Sequence, residues 1–244
     1  MLIARNILNS SVVFPIAALA TTSLAALALA ETAIGPSTLE SPYVVPVLDE
    51  VDITAILTVG DSVNDKPESG TPYRMVGIPD GLGAFENYDG TFTVLMNHEM
   101  PGNLGIRRQH GSDGAFVSQW IVRRSDLAVL NGGDHAKEVL VWNGEGFVPA
   151  DEDDSMSRLC SADLPAPSAL YNRQSGNGYI GRIFLNGEEI APSSNVPAGQ
   201  PENLGGRAFA HIVSGPGAGI SYELPSLGKF SWENALAPAS IDLP

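Results

Sequence analysis

The sequence predicts an all-β protein: a β-propeller with an incomplete set of blades, built from antiparallel hairpins. Three observations lead there. Apolar residues recur with a period of two over short runs, the pattern of half-buried strands. The 26 glycines and 18 prolines fall between those runs, where turns need them. The hairpins recur at roughly 40 to 50 residues, a spacing suited to propeller blades. No helical heptad of useful length follows the N-terminal leader.

Taken in order, residues 1–30 read as a signal peptide rather than part of the fold. Arg5 is its only charge, an apolar run extends from Val12 through Ala28, and Ala28-Leu29-Ala30 is a small-x-small cleavage signature. Pro15, Thr21, Thr22 and Ser23 interrupt the run, which argues against a retained membrane helix of roughly 20 apolar residues. The expectation is an exported protein, periplasmic or secreted, with no membrane span in its mature part, 31–244. Residues 76–85 and 91–98 make a first hairpin, turned at Asp89-Gly90. Residues 115–122 and 128–130 make a second, joined by Arg123-Arg124-Ser125-Asp126-Leu127. Residues 139–142 and 147–148 make a third around Asn143-Gly144-Glu145-Gly146. Pro165 to Leu170 suits a short helical turn. Residues 179–185 and 207–213 are further strands, and 191–206 is a loop. A closed propeller of six blades needs about 270 residues, more than this chain has. Gly228 to Ala235 also reads like the middle of a domain, so missing C-terminal blades are expected.

Charge narrows the functional classes. The formal net charge is -15, and it becomes -16 once Arg5 leaves with the leader. A nucleic-acid groove needs basic patches and is excluded on this count. An acidic surface suits solubility and cation binding. Cys160 is the one cysteine, so no internal disulfide can form. Its thiol is either buried and inert or bound to a metal.

Several groups can carry chemistry. Asn97-His98-Glu99 closes an apolar strand in which Phe92, Val94, Met96 and His98 share one face and Leu95 and Glu99 the other. Glu99 is either a solvated loop carboxylate or a ligand for calcium, which takes six to eight oxygen donors. Asn186-Gly187-Glu188-Glu189 ends a second apolar strand. It reads either as an Asn-Gly turn with surface acids or as a carboxylate pair, of which one enters a site. Asp151 to Asp154 is a dense acidic loop without the spaced ligands of an EF-hand. Arg107-Arg108-Gln109-His110 is the cluster suited to an anion, because the guanidinium fork matches phosphate oxygens. His211 lies on an apolar strand, where a structural histidine is expected. No nucleophile elbow, Walker loop, dinucleotide fingerprint or His-Glu-x-x-His motif is present.

The order Pro79-Asp80-Gly81-Leu82-Gly83, Asn97-His98-Glu99, Cys160, Asn186-Gly187-Glu188-Glu189 and Gly228-Lys229-Phe230-Ser231-Trp232-Glu233 resembles the PhoX-type alkaline phosphatase family. The resemblance runs from Tyr73 to Asn234. It implies an exported β-propeller that hydrolyses phosphate monoesters, with calcium and iron at the propeller mouth. Cys160 would be the iron thiolate. Glu189, and less closely Glu188, would match the metal-binding glutamate of the pair, and Glu233 the glutamate of a Gly-Arg-Phe-x-His-Glu segment. Glu99 would be a further calcium ligand, and Arg107 or Arg108 would clamp the phosphate. Here Lys229 stands in place of the family's Arg and Trp232 in place of its His. Two other readings fit the acidic strand ends: a calcium-dependent propeller esterase or lactonase, and a non-catalytic binding propeller stabilised by calcium.

Overall fold

The structure, a computed structural model, describes residues 31–64, 72–192 and 205–239. The signal peptide expected at 1–30, and most of the loop expected at 191–206, lie outside them. The described residues form strands and two short 3-10 turns, distributed over four sheets, none closed on itself. None of their helices is long and apolar enough to cross a membrane.

Two small pairs come first. Strands β1 (Thr32–Ile34) and β2 (Ile53–Ala55) run parallel, and β3 (Ser62–Val63) pairs antiparallel with β4 (Tyr73–Arg74). The first large sheet is a four-stranded meander of β5 (Pro79–Glu86), β6 (Thr91–His98), β7 (Phe116–Arg123) and β8 (Val129–Asp134). Its tightest turn behaves as the sequence suggests. Gly90 takes a left-handed φ of 87°, and the Asp89 carboxylate accepts from the Thr91 amide at 3.0 Å.

The second large sheet has six strands. They are β9 (Glu138–Trp142), β10 (Phe147–Pro149), β11 (Leu159–Asp163), β12 (Arg182–Glu188), β13 (Ala208–Ser214) and β14 (Ile220–Glu223). Their order is β10-β9-β14-β13-β12-β11, antiparallel except where β9 meets β14. The third hairpin therefore does not stand apart; it extends the meander formed by β11 to β14. Two further points differ from the sequence reading. Strands β11 and β14 are short and carry polar residues that hide their period. Asn186-Gly187 is not a turn, because β12 continues through it to Glu188. Gly187 is needed there: a Cβ would fall 2.4 Å from that of Trp232, which packs onto the strand. The helical turn expected near residue 165 is the 3-10 turn Pro167–Ala169.

Alternation along β6 decides how the layers stack. Leu95 on β6 and Val117 on β7 join Leu159, Phe184 and Phe209 of the six-stranded sheet in one buried cluster. Each such side chain stabilises the fold by about 1.5–3 kcal/mol through burial. The opposite face carries Trp120, Val122 and Val129, with Phe92, Val94 and Met96 against them, and is covered by Ile56, Leu57, Val63 and Met75. The central strands β6 and β7 are thus packed on both sides, while the edge strands β5 and β8 stay partly exposed. At one edge β11 crosses directly over β5. Gly81 and Gly83 make this possible, since a Cβ at Gly81 would lie 2.6 Å from the Cys160 carbonyl oxygen and one at Gly83 2.7 Å from Leu164.

Candidate functional site

The crossing of β5 and β11 gathers a group of ionisable side chains. Asp80 sits at the start of β5, and Glu99 follows the end of its partner β6. Their strands are joined there, with Pro79 opposite His98 and the Glu99 amide donating to the Ile78 carbonyl at 2.8 Å. Cys160 lies on β11, and Glu189 follows β12. The backbone stitches these ends together. The Arg158 amide donates to the Met100 carbonyl at 2.8 Å, and the Glu189 amide donates to the Arg158 carbonyl at 2.9 Å.

The side chains converge. Ligand atoms of Asp80, Glu99 and Cys160 lie within 4.8 Å of one another. The Cys160 thiol donates to the Glu189 carboxylate at 3.1 Å. One guanidinium nitrogen of Arg158 bridges Glu99 at 2.5 Å and Glu189 at 2.9 Å. Burial pushes the Cys160 thiol far up, and its bond to Glu189 and the charge of Glu99 add to this. Asp80 is also raised, first by burial and then by Glu99 and Glu189. Glu189 is lowered by its hydrogen bond from Arg158. Three carboxylates against one guanidinium leave an excess of negative charge. A cation would relieve it and would also favour the thiolate. The donors are of kinds that metal ions take: carboxylate oxygens and, once deprotonated, a thiolate sulfur.

A buried polar chain holds this edge in place. Asn97 donates to the Cys160 carbonyl and accepts from Asn186 at 2.8 Å. The Asn186 carbonyl oxygen can only accept, so His211 donates to it through Nε2 at 2.9 Å. His211 Nδ1 then accepts from the Ser221 hydroxyl at 2.7 Å. Asn97, Asn186, His211 and Ser221 are completely buried, and the chain links both large sheets. Each member has its partner, as burial requires. Burial pushes His211 down to about 3, with His135 and His110 adding to the shift.

Other residues singled out by the sequence lie elsewhere. Glu188 points away from Glu189, as alternation requires, and is fully buried. Its two oxygens accept from Arg207 Nη2 at 2.9 Å and Nε at 3.0 Å, and from the amides of Ser157 and Arg207. That carboxylate is saturated by Arg207 and is not part of the group. Glu233 is exposed and also stands outside it, while its neighbour Trp232 is buried and donates to the Gly206 carbonyl at 2.9 Å. Arg107 is exposed and pairs with Glu152 at 3.1 Å. Arg108 is buried, lies 3.6 Å from the centroid of the Phe116 ring and pairs with Asp134 at 3.5 Å. His98 is structural. Its Nδ1 donates to the Val76 carbonyl, so Nε2 accepts from Ser118, whose oxygen accepts from Trp120.

Of the expected ligands, Glu99, Cys160 and Glu189 come together; Asp80 and Arg158 join them without having been singled out. Asp80 stood inside a motif already noted, directly before the glycine that lets β11 approach. Arg158 carries no signal until β11 is recognised as the strand beside β12. Compared with known proteins, the chain matches no family, no curated relative and no solved structure.

Proposed function

We propose that this chain is an exported, metal-dependent hydrolase of phosphate monoesters, built as a β-propeller. Its metals would be held by Asp80, Glu99, Cys160 and Glu189. One observation carries this reading: the convergence of Asp80, Glu99 and Cys160 within 4.8 Å. Those residues come from separate segments of the PhoX-like motif series, and a ligand set assembled from distant segments is what the resemblance calls for. Calcium would take the carboxylates and iron the thiolate. Bound metal would supply positive charge to the phosphoryl oxygens. Asp80, Glu99 and Glu189 would hold that charge in place, and Asn97 would fix the backbone of Cys160.

The test is hydrolysis of a chromogenic phosphate ester by purified protein before and after chelation, with elemental analysis of the dialysed sample. Turnover that a chelator abolishes and calcium with iron restores supports the proposal. Folded protein that carries neither metal and turns over no ester overturns it.

A second reading is a calcium-stabilised propeller that binds partners without catalysis. The placement of the expected phosphate clamps favours it: Arg107 pairs with Glu152 and Arg108 with Asp134, outside the ligand group. It calls for a calcium-dependent rise in Tm without turnover.

A further inference from the structure

We infer that Arg158 is the oxyanion clamp of this site, held by Glu99 and Glu189 until a cation takes those carboxylates. The inference rests on the metal reading above and adds to it the residue that meets the substrate's phosphate. Three observations lead to it. The first is position: one guanidinium nitrogen touches both Glu99 and Glu189, at 2.5 and 2.9 Å. The second is exposure. The Arg158 side chain is 44% exposed, whereas that of Glu99 is 13% exposed, so Arg158 is the more accessible member of the pair to a ligand arriving from solvent. The third is the backbone. Arg158 has a φ of 50°, a left-handed conformation that a non-glycine residue adopts at a cost, and neighbouring strands fix it on both sides.

These features give a rooted side chain with a movable end. While the carboxylates lack a cation, the guanidinium is their partner. A cation held by Glu99 and Glu189 would satisfy their charge and would compete the guanidinium away from them. The guanidinium would then favour an oxyanion, because its planar fork matches two phosphate oxygens. The cations expected to play this part fit less well. Arg107 pairs with Glu152, and Arg108 is stacked on Phe116 beside Asp134, so neither touches the carboxylates of the group.

The test uses calcium and inorganic phosphate as probes, titrated calorimetrically into wild type, Arg158→Gln and Arg158→Lys. Glutamine is chosen because it meets the same left-handed strain as arginine, and circular dichroism checks that the fold is kept. Arg158→Gln is expected to bind calcium about tenfold more tightly, because an internal competitor is gone. The same variant, loaded with calcium, is expected to bind phosphate at least about tenfold more weakly. Arg158→Lys keeps the charge without the fork and should fall between the two in phosphate affinity. Opposite changes for the two probes support the clamp. Unchanged phosphate affinity in a variant that still binds calcium overturns the clamp and leaves the metal reading standing. Wild type that binds no calcium removes both.

Discussion

Acid should unfold this protein through a buried histidine, His211, which is linked to the candidate site through Asn186 and Asn97. His211 is completely buried, and its ring is pushed from the ordinary 6.5 down to about 3, chiefly by burial. The sign follows from linkage. Above about pH 6.5 the ring is neutral in both folded and unfolded chains and adds no pH dependence. Below that, the unfolded chain takes up a proton that the folded chain refuses, and stability falls by about 1.4 kcal/mol per pH unit. The loss continues until the folded ring titrates near 3. Between about pH 7.5 and about pH 4.5, His211 alone should cost about 2.5 kcal/mol. That is a large part of a typical domain stability of about 5–15 kcal/mol. The figure does not depend on the folded value as long as it lies well below pH 4.5. Urea unfolding of wild type and His211→Gln at both pH values isolates the term. Contributions from carboxylates such as Glu189 are common to both proteins and cancel in the comparison. The wild type should lose about 2.5 kcal/mol more than the variant over this range. Equal losses, or a His211 ring seen by NMR to titrate near its ordinary value in the folded protein, would refute the reasoning.

Other perturbations bear on the architecture and the site. Arg207→Ala leaves the Glu188 carboxylate buried without its partner and should destabilise by about 3–5 kcal/mol in urea unfolding. Gly81→Val places a side chain where even a Cβ would lie 2.5 Å from the Ala162 amide nitrogen. It should part β5 from β11, lower Tm and weaken calcium binding together. On the proposed metal reading, Cys160→Ser should leave calcium content unchanged and remove iron from dialysed protein, read by elemental analysis. Leu95→Ala opens a cavity between the two large sheets and should cost about 2–5 kcal/mol; on the same reading, calcium affinity should be less affected than by Gly81→Val.

The strand period and the turn residues were enough to locate eight of the strands. From Phe92 to His98 apolar residues alternate, Asp89-Gly90 supplies the turn, and the hairpin follows from local chemistry alone. Alternation also dictated that Glu188 and Glu189 point to opposite faces. It could not say which face meets the interior, because that depends on the sheet packed against β12. Only the tertiary structure sends Glu188 to Arg207 and Glu189 to Cys160. The same holds for Asn186-Gly187, a turn by local preference but strand once Trp232 packs on Gly187. Asp80 and Arg158 enter the site because β11 crosses β5 and pairs with β12. Local preferences act over a few residues, whereas these contacts join segments far apart in the chain, so only the packed fold decides them.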